Sequence, residues 1–123
     1  MQIKLKQIID SEVGLGIITN LKFKATELFK VTKFCEACDQ EIKSFNSVRE
    51  EKIKQFGDQK KVDGKQVFEV PKDNQEQFFT EMEELLNQDI ELEIPEISLE
   101  AFEDVEMSPR EFLSLKWLIK KED

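Results

Sequence analysis

The chain has 123 residues, 37% of them charged and 39% hydrophobic, with a formal net charge of −9 and no histidine. That length suits one domain, 1–123, with a modest core, and the missing histidine removes the commonest general base and metal ligand. No apolar run reaches the ~20 residues of a membrane helix, and the start, Met1-Gln-Ile-Lys-Leu-Lys, has no signal-peptide apolar stretch.

Residues 1–24 read as an N-terminal strand and a short element. Ile3 and Leu5 alternate with Gln2, Lys4 and Lys6, a strand pattern over 2–6. In residues 8–19, Ile8, Ile9, Val13, Ile17 and Ile18 can line a short helix capped by Asp10 or Ser11. Gly14 and Gly16 weaken that helix by about 1 kcal/mol each. Gly14-Leu-Gly16 lacks the third glycine and the strand–helix context of a dinucleotide loop, and no Lys-Ser or Lys-Thr makes it a P-loop. Asn20 closes the element.

Residues 25–56 read as one long amphipathic helix. Leu28, Val31, Cys35, Cys38, Ile42 and Phe45 recur at steps of three and four, and the seam weakens at Arg49 before Ile53 and Phe56. Such a helix spans about 48 Å, too long to be buried along its length, so the other elements must cover its stripe. Residues 57–73 form a hairpin connection, because Asp63-Gly64 suits a type I′ turn. A second helix over 74–88 follows, with Asp73 and Glu76 as an Asp-type capping box and Phe78, Met82 and Leu85 on one stripe, beside Phe79 and Leu86.

In the segment 89–107, residues 90–94 alternate as a strand that can pair with 2–6, setting Lys4 and Lys6 beside Glu91 and Glu93. Pro95 ends it or marks it as an edge strand, and Ile97, Leu99 and Phe102 fall in an irregular stretch. Ser108-Pro109-Arg110-Glu111 is a helix start with cap, N1 proline and N3 glutamate. The third helix, about 109–121 within the element 108–121, turns Phe112, Leu115, Leu118 and Ile119 to the core. Trp117 lies at the margin, and Lys120 and Lys121 sit at the helix C-terminus. The fold class is mainly α with minor β: one long helix packed by two shorter ones, a β-hairpin and a small two-stranded sheet. Ten Phe, one Trp and no Tyr point to a Phe-rich core.

The candidate chemistry is sparse. Cys35-Glu-Ala-Cys38 has redox or half-zinc spacing. The pair lies about ten residues inside a helix, away from the N-terminus that lowers a thiol pKa. With no further Cys or His, a four-ligand site needs two thiolates from each of two chains, so core packing is the first reading and inter-chain metal the second. Carboxylate pairs such as Glu83-Glu84 have no distinguishing spacing, and the basic groups Lys22/Lys24 and Lys60/Lys61/Lys65 are interrupted by acids. No cofactor is expected. Residues 1–66 carry a net +3 and residues 67–123 a net −12, with 13 acidic residues and no Lys or Arg from Asp73 to Glu106. That half repels nucleic acid.

Four stretches resemble a family of small, acidic, uncharacterised proteins of tailed bacteriophages and prophages: Arg49-Glu-Glu-Lys-Ile-Lys-Gln-Phe-Gly57, Val70-Pro through Leu86, Ile90-Glu-Leu-Glu-Ile-Pro95, and Met107-Ser-Pro with Trp117-Leu-Ile. The resemblance implies a phage protein in the bacterial host cytoplasm or the virion, and brings no active site. The expected function is a non-enzymatic protein–protein interaction module, an accessory or morphogenesis factor. Its partner is a phage or host protein docked at Phe34, Val48 and Ile53, or a second copy met through the long helix. One alternative is an acidic inhibitor of a host nucleic-acid-binding protein, acting through Glu91, Glu93, Glu96, Glu100, Glu103 and Asp104. Another is a metal or redox protein using Cys35 and Cys38.

Overall fold

The computed structural model describes residues 2–120, apart from the side chain of Val62. The organising element is helix α3, Ala25–Phe56, with the bounds its periodicity implies. The fold is mainly helical with two small antiparallel sheets, as expected. Different elements cover the two halves of α3, and this divides the molecule into a body and an arm.

The body packs around the first half of α3. Strand β1 (Gln2–Lys4) leads into α1 (Leu5–Asp10) and α2 (Glu12–Ile18). Its other pieces come from the far end of the chain: β4 (Asp89–Glu91), a 3-10 turn at Leu99–Phe102, α5 (Pro109–Leu115) and a 3-10 turn at Lys116–Leu118. Ile8, Leu15, Ile18, Val31, Phe34, Cys38, Leu92, Ile97, Phe102, Leu115 and Leu118 form the core cluster. That core is built mainly of Ile and Leu; of the ten Phe, only Phe34 and Phe102 are buried among the described residues. The other described Phe lie along the arm, at the two ends of α3 or at half-buried positions. The capping box forms as read: Ser108 Oγ accepts from Glu111 N–H and Glu111 Oε1 accepts from Ser108 N–H, each at 3.1 Å.

The arm is the second half of α3, the hairpin β2 (Asp58–Val62) and β3 (Lys65–Glu69), and α4 (Lys72–Leu86). The hairpin turn has φ 52° at Asp63 and 79° at Gly64, the double positive φ of a type I′ turn. Helix α4 returns antiparallel to α3. Phe56 meets Phe78 with ring centroids 6.4 Å apart, and further along the pair Lys52 Nζ lies 3.2 Å from Glu81 Oε1. Among the described residues no hydrophobic side chain between Lys43 and Asp89 belongs to the core cluster or packs against it, although α4 touches α1 at the edge of the body.

Several local expectations are corrected by tertiary packing. The first strand stops at Lys4, because Leu5 starts α1 and donates its N–H to Gln88 O at 2.9 Å. Its partner strand is Asp89–Glu91 rather than 90–94, and the register Lys4↔Asp89 gives Lys4 a 2.8 Å ion pair with Asp89, not with Glu91 or Glu93. Residues 8–19 belong to two helices broken at Ser11, with Leu15 buried and Val13 exposed. Ser11 caps nothing with its side chain: its Oγ donates to Gln7 O at 2.6 Å and accepts from Trp117 Nε1 at 2.8 Å. Asn20 does close this element, its Nδ2 donating to Gly16 O at 3.2 Å.

Helix α4 starts at Lys72 and ends at Leu86, without a capping box at Asp73 and Glu76. Asn74 Nδ2 instead donates to Phe56 O at 3.0 Å, fastening the start of α4 to the end of α3. The C-terminal helix stops at Leu115. The chain tightens into a 3-10 turn and then bridges Ile97 with Ile119, where Ile97 N–H donates to Leu118 O and Lys120 N–H to Ile97 O. Lys120 therefore does not sit on a helix end, and Lys121 lies outside the described residues.

A candidate docking groove

A groove of about 580 Å³ runs between the first turns of α3 and residues 91–95. Phe29, Lys33 and Ala37 recur every four residues on α3 and present one face to it. Opposite, Leu92, Ile94 and Pro95 form an apolar wall. The β4 ladder ends at Glu91, and residues 92–95 then leave the sheet and run along the groove. Lys30 and Lys33 stand on the helix side, Glu91 and Glu93 on the other. Phe29 is 67% exposed at the mouth, and Lys33 Nζ lies 5.5 Å from its ring centroid. Leu28, placed by its spacing on the covered stripe, is 47% exposed, because α1, α2 and α5 leave the first turn of α3 bare.

The residues expected to dock a partner separate. Phe34 is 2% exposed and meets Trp117 edge-on at 5.9 Å, so it is mainly a core residue, and it also lines the groove from the helix side. Val48 and Ile53 are half-buried in the arm, far along α3 from the groove. Phe29 was the residue that periodicity left off every stripe. Its legible signal was an aromatic side chain at an outward helical position just before Lys30 and Lys33.

The acidic set does not make one uninterrupted face. Glu91 and Glu93 share their groove with Lys30 and Lys33. Glu96 lines a second groove, about 880 Å³, together with Lys4, Lys6 and Lys120. Glu100, Glu103 and Asp104 are exposed at the 3-10 turn and line neither. Lysines interleaved with the carboxylates locally weaken the negative field that mimicry of a nucleic acid needs.

Cys38 is 1% exposed, within the core cluster, and Cys35 beside it is half-buried. Burial, then the neighbouring Cys35 and Glu41 charges, push the Cys38 thiol up to about 12, and burial raises Cys35 as well. Both therefore stay protonated near neutral pH, whereas nucleophilic and metal-binding cysteines are thiolates. A zinc ion shared between two chains would require Cys38 to leave the core that encloses it. Among the described residues no group of three or more His, Cys, Asp or Glu is placed to hold a metal, and no helix is long and apolar enough to cross a membrane.

No family model, curated protein or solved structure matches this chain.

Proposed function

We propose that this protein is a non-enzymatic protein–protein interaction module that grips apolar side chains of a partner in the groove between α3 and residues 91–95. Phe29 carries the reading: a large aromatic ring 67% exposed beside an apolar wall, with cations on one rim and anions on the other. Aromatic anchors dominate docking energetics when they enter such pockets, and burying a Phe contributes about 1.5–3 kcal/mol. The rim charges set orientation rather than affinity. A role as a phage accessory or morphogenesis factor rests on the sequence resemblance, and the partner is then a phage or host protein.

The test is capture from host lysate, uninfected and phage-infected, with wild-type protein, Phe29→Asp and Leu113→Glu in parallel. Leu113 is 65% exposed on α5, outside the groove, and serves as the control. A partner that survives high salt, is retained by Leu113→Glu and is lost with Phe29→Asp supports the reading. A partner held equally by Phe29→Asp sinks it, and a host protein released by salt from all three favours the acidic-inhibitor alternative.

A further inference from the structure

We infer that the arm carries a homotypic contact, in which the β3 edges of two copies pair antiparallel about Val67 and join two hairpins into one four-stranded sheet. The groove lies on the body, so this contact is independent of the proposed docking site.

The argument starts from the ladder. The pairs run Val62↔Lys65, Lys61↔Gln66, Lys60↔Val67, Gln59↔Phe68 and Asp58↔Glu69. In a two-residue hairpin the residues flanking the turn exchange both backbone bonds, and hydrogen-bonded and non-bonded pairs then alternate. Lys65, Val67 and Glu69 therefore direct their backbone groups at β2. Gln66 and Phe68 direct theirs outward, and among the described residues that edge has no backbone partner. All five residues of β3 are exposed, Val67 and Phe68 at 40% each.

The edge is complementary to itself. A two-fold axis at Val67 sets Val67 against Val67, Gln66 against Phe68, and Lys65 against Glu69 of the second copy. A closed dimer needs such an isologous match. The backbone phase agrees: Gln66 and Phe68, with outward N–H and C=O groups, become the hydrogen-bonded pairs, and Val67 falls at the close-packed non-bonded position. Opposite charges then meet at both ends, an arrangement that favours one register. The other hairpin edge is guarded. Pairing two β2 strands about their centre would set Lys60 against Lys60, and lysines on an edge are a known defence against such pairing. So short an edge falls below the roughly 1,200 Å² typical of stable complexes, so the dimer is weak and depends on protein concentration.

Sedimentation equilibrium on the whole protein, from roughly 10 μM to 1 mM, tests this alongside charge-swapped variants. Lys65→Glu alone sets acid against acid, and Glu69→Lys alone sets lysine against lysine. Each is expected to weaken dimerisation about tenfold or more. An equimolar mixture of the two is expected to restore it, because every facing pair is again opposite. Val67→Cys places two thiols at a non-bonded pair about 4.5 Å apart between Cα atoms, within disulfide reach. Under oxidation it should give a covalent dimer linked at that position by peptide mapping. Unchanged circular dichroism and urea midpoint establish that each variant folds. A protein monomeric across the range overturns the inference. So does a dimer indifferent to both charge changes, or a mixture that fails to recover.

Discussion

Helix α3 passes through two environments, and the contrast between them shows where this chain places its stability. In the body Val31, Phe34 and Cys38 are buried beneath elements from both ends of the sequence. In the arm α3 has one helix for a partner, and Met82 is the only buried side chain from α4 among the described residues. Phe45, Val48, Ile53, Phe56, Phe78 and Leu85 are half-buried there, and every described side chain of the hairpin beyond is exposed. The arm is thus held mainly along one helix pair, while the body draws on elements from both ends of the chain. Regions with few buried apolar contacts open at lower free energy than the core, so a surface on the arm can adapt without loosening the body.

Deleting one buried side chain from each region tests this contrast with the largest expected effect. Leu115, 0% exposed at the centre of the body, should cost about 2–5 kcal/mol as Leu115→Ala. Met82→Ala should cost less than about 2 kcal/mol, because the arm can close over the gap. Urea unfolding measures both; equal losses would make the arm as integral as the body.

A smaller effect separates two glycines of α2. A Cβ on Gly14 would collide with Leu115 Cδ2 and lie 2.5 Å from Ser114 Oγ, so Gly14→Ala should destabilise by about 1–3 kcal/mol. Gly16 has nothing within 4 Å of its Cβ position, and Gly16→Ala should stabilise by about 0.5–1 kcal/mol. Thermal unfolding of the two variants should move in opposite directions.

The smallest effect is a pH slope from the body. Cys38 holds its proton to about 12 in the fold, against an ordinary value of 9.0. The unfolded chain releases that proton first, so stability is intact below pH 9 and falls as pH rises from 9 toward 12. Urea midpoints across that range should decline less steeply in Cys38→Ala. The exposed Lys60, whose ammonium the Glu69 hydrogen bond and charge stabilise, belongs to the arm and should leave that difference between the proteins unchanged.

Legibility followed the same division. The seam on α3 could be drawn through Val31, Cys35 and Cys38 or through Val31, Phe34 and Cys38, since both keep steps of three and four. Burial chose Phe34 because the C-terminal 3-10 turn brings Trp117 against it. The groove between α3 and residues 91–95 was hidden for a related reason. One wall comes from α3 and the other from residues about 60 positions later, and no local pattern shows that Ile94 and Pro95 lie opposite Phe29. The C-terminal helix had the right start and the wrong end: its cap is made by four consecutive residues, while its end is decided by the bridge to Ile97.

The sequence by itself determined the length of α3, the cap at Ser108 and the hairpin turn at Asp63-Gly64, since helical period, capping hydrogen bonds and positive φ all arise among near neighbours. Tertiary structure alone decided the break at Ser11, the register that sets Lys4 against Asp89, the early end of the last helix and the point on α3 where the body gives way to the arm. Each of those is settled by which distant surfaces meet and leave water together, a competition among nonlocal contacts that no window of adjacent residues contains.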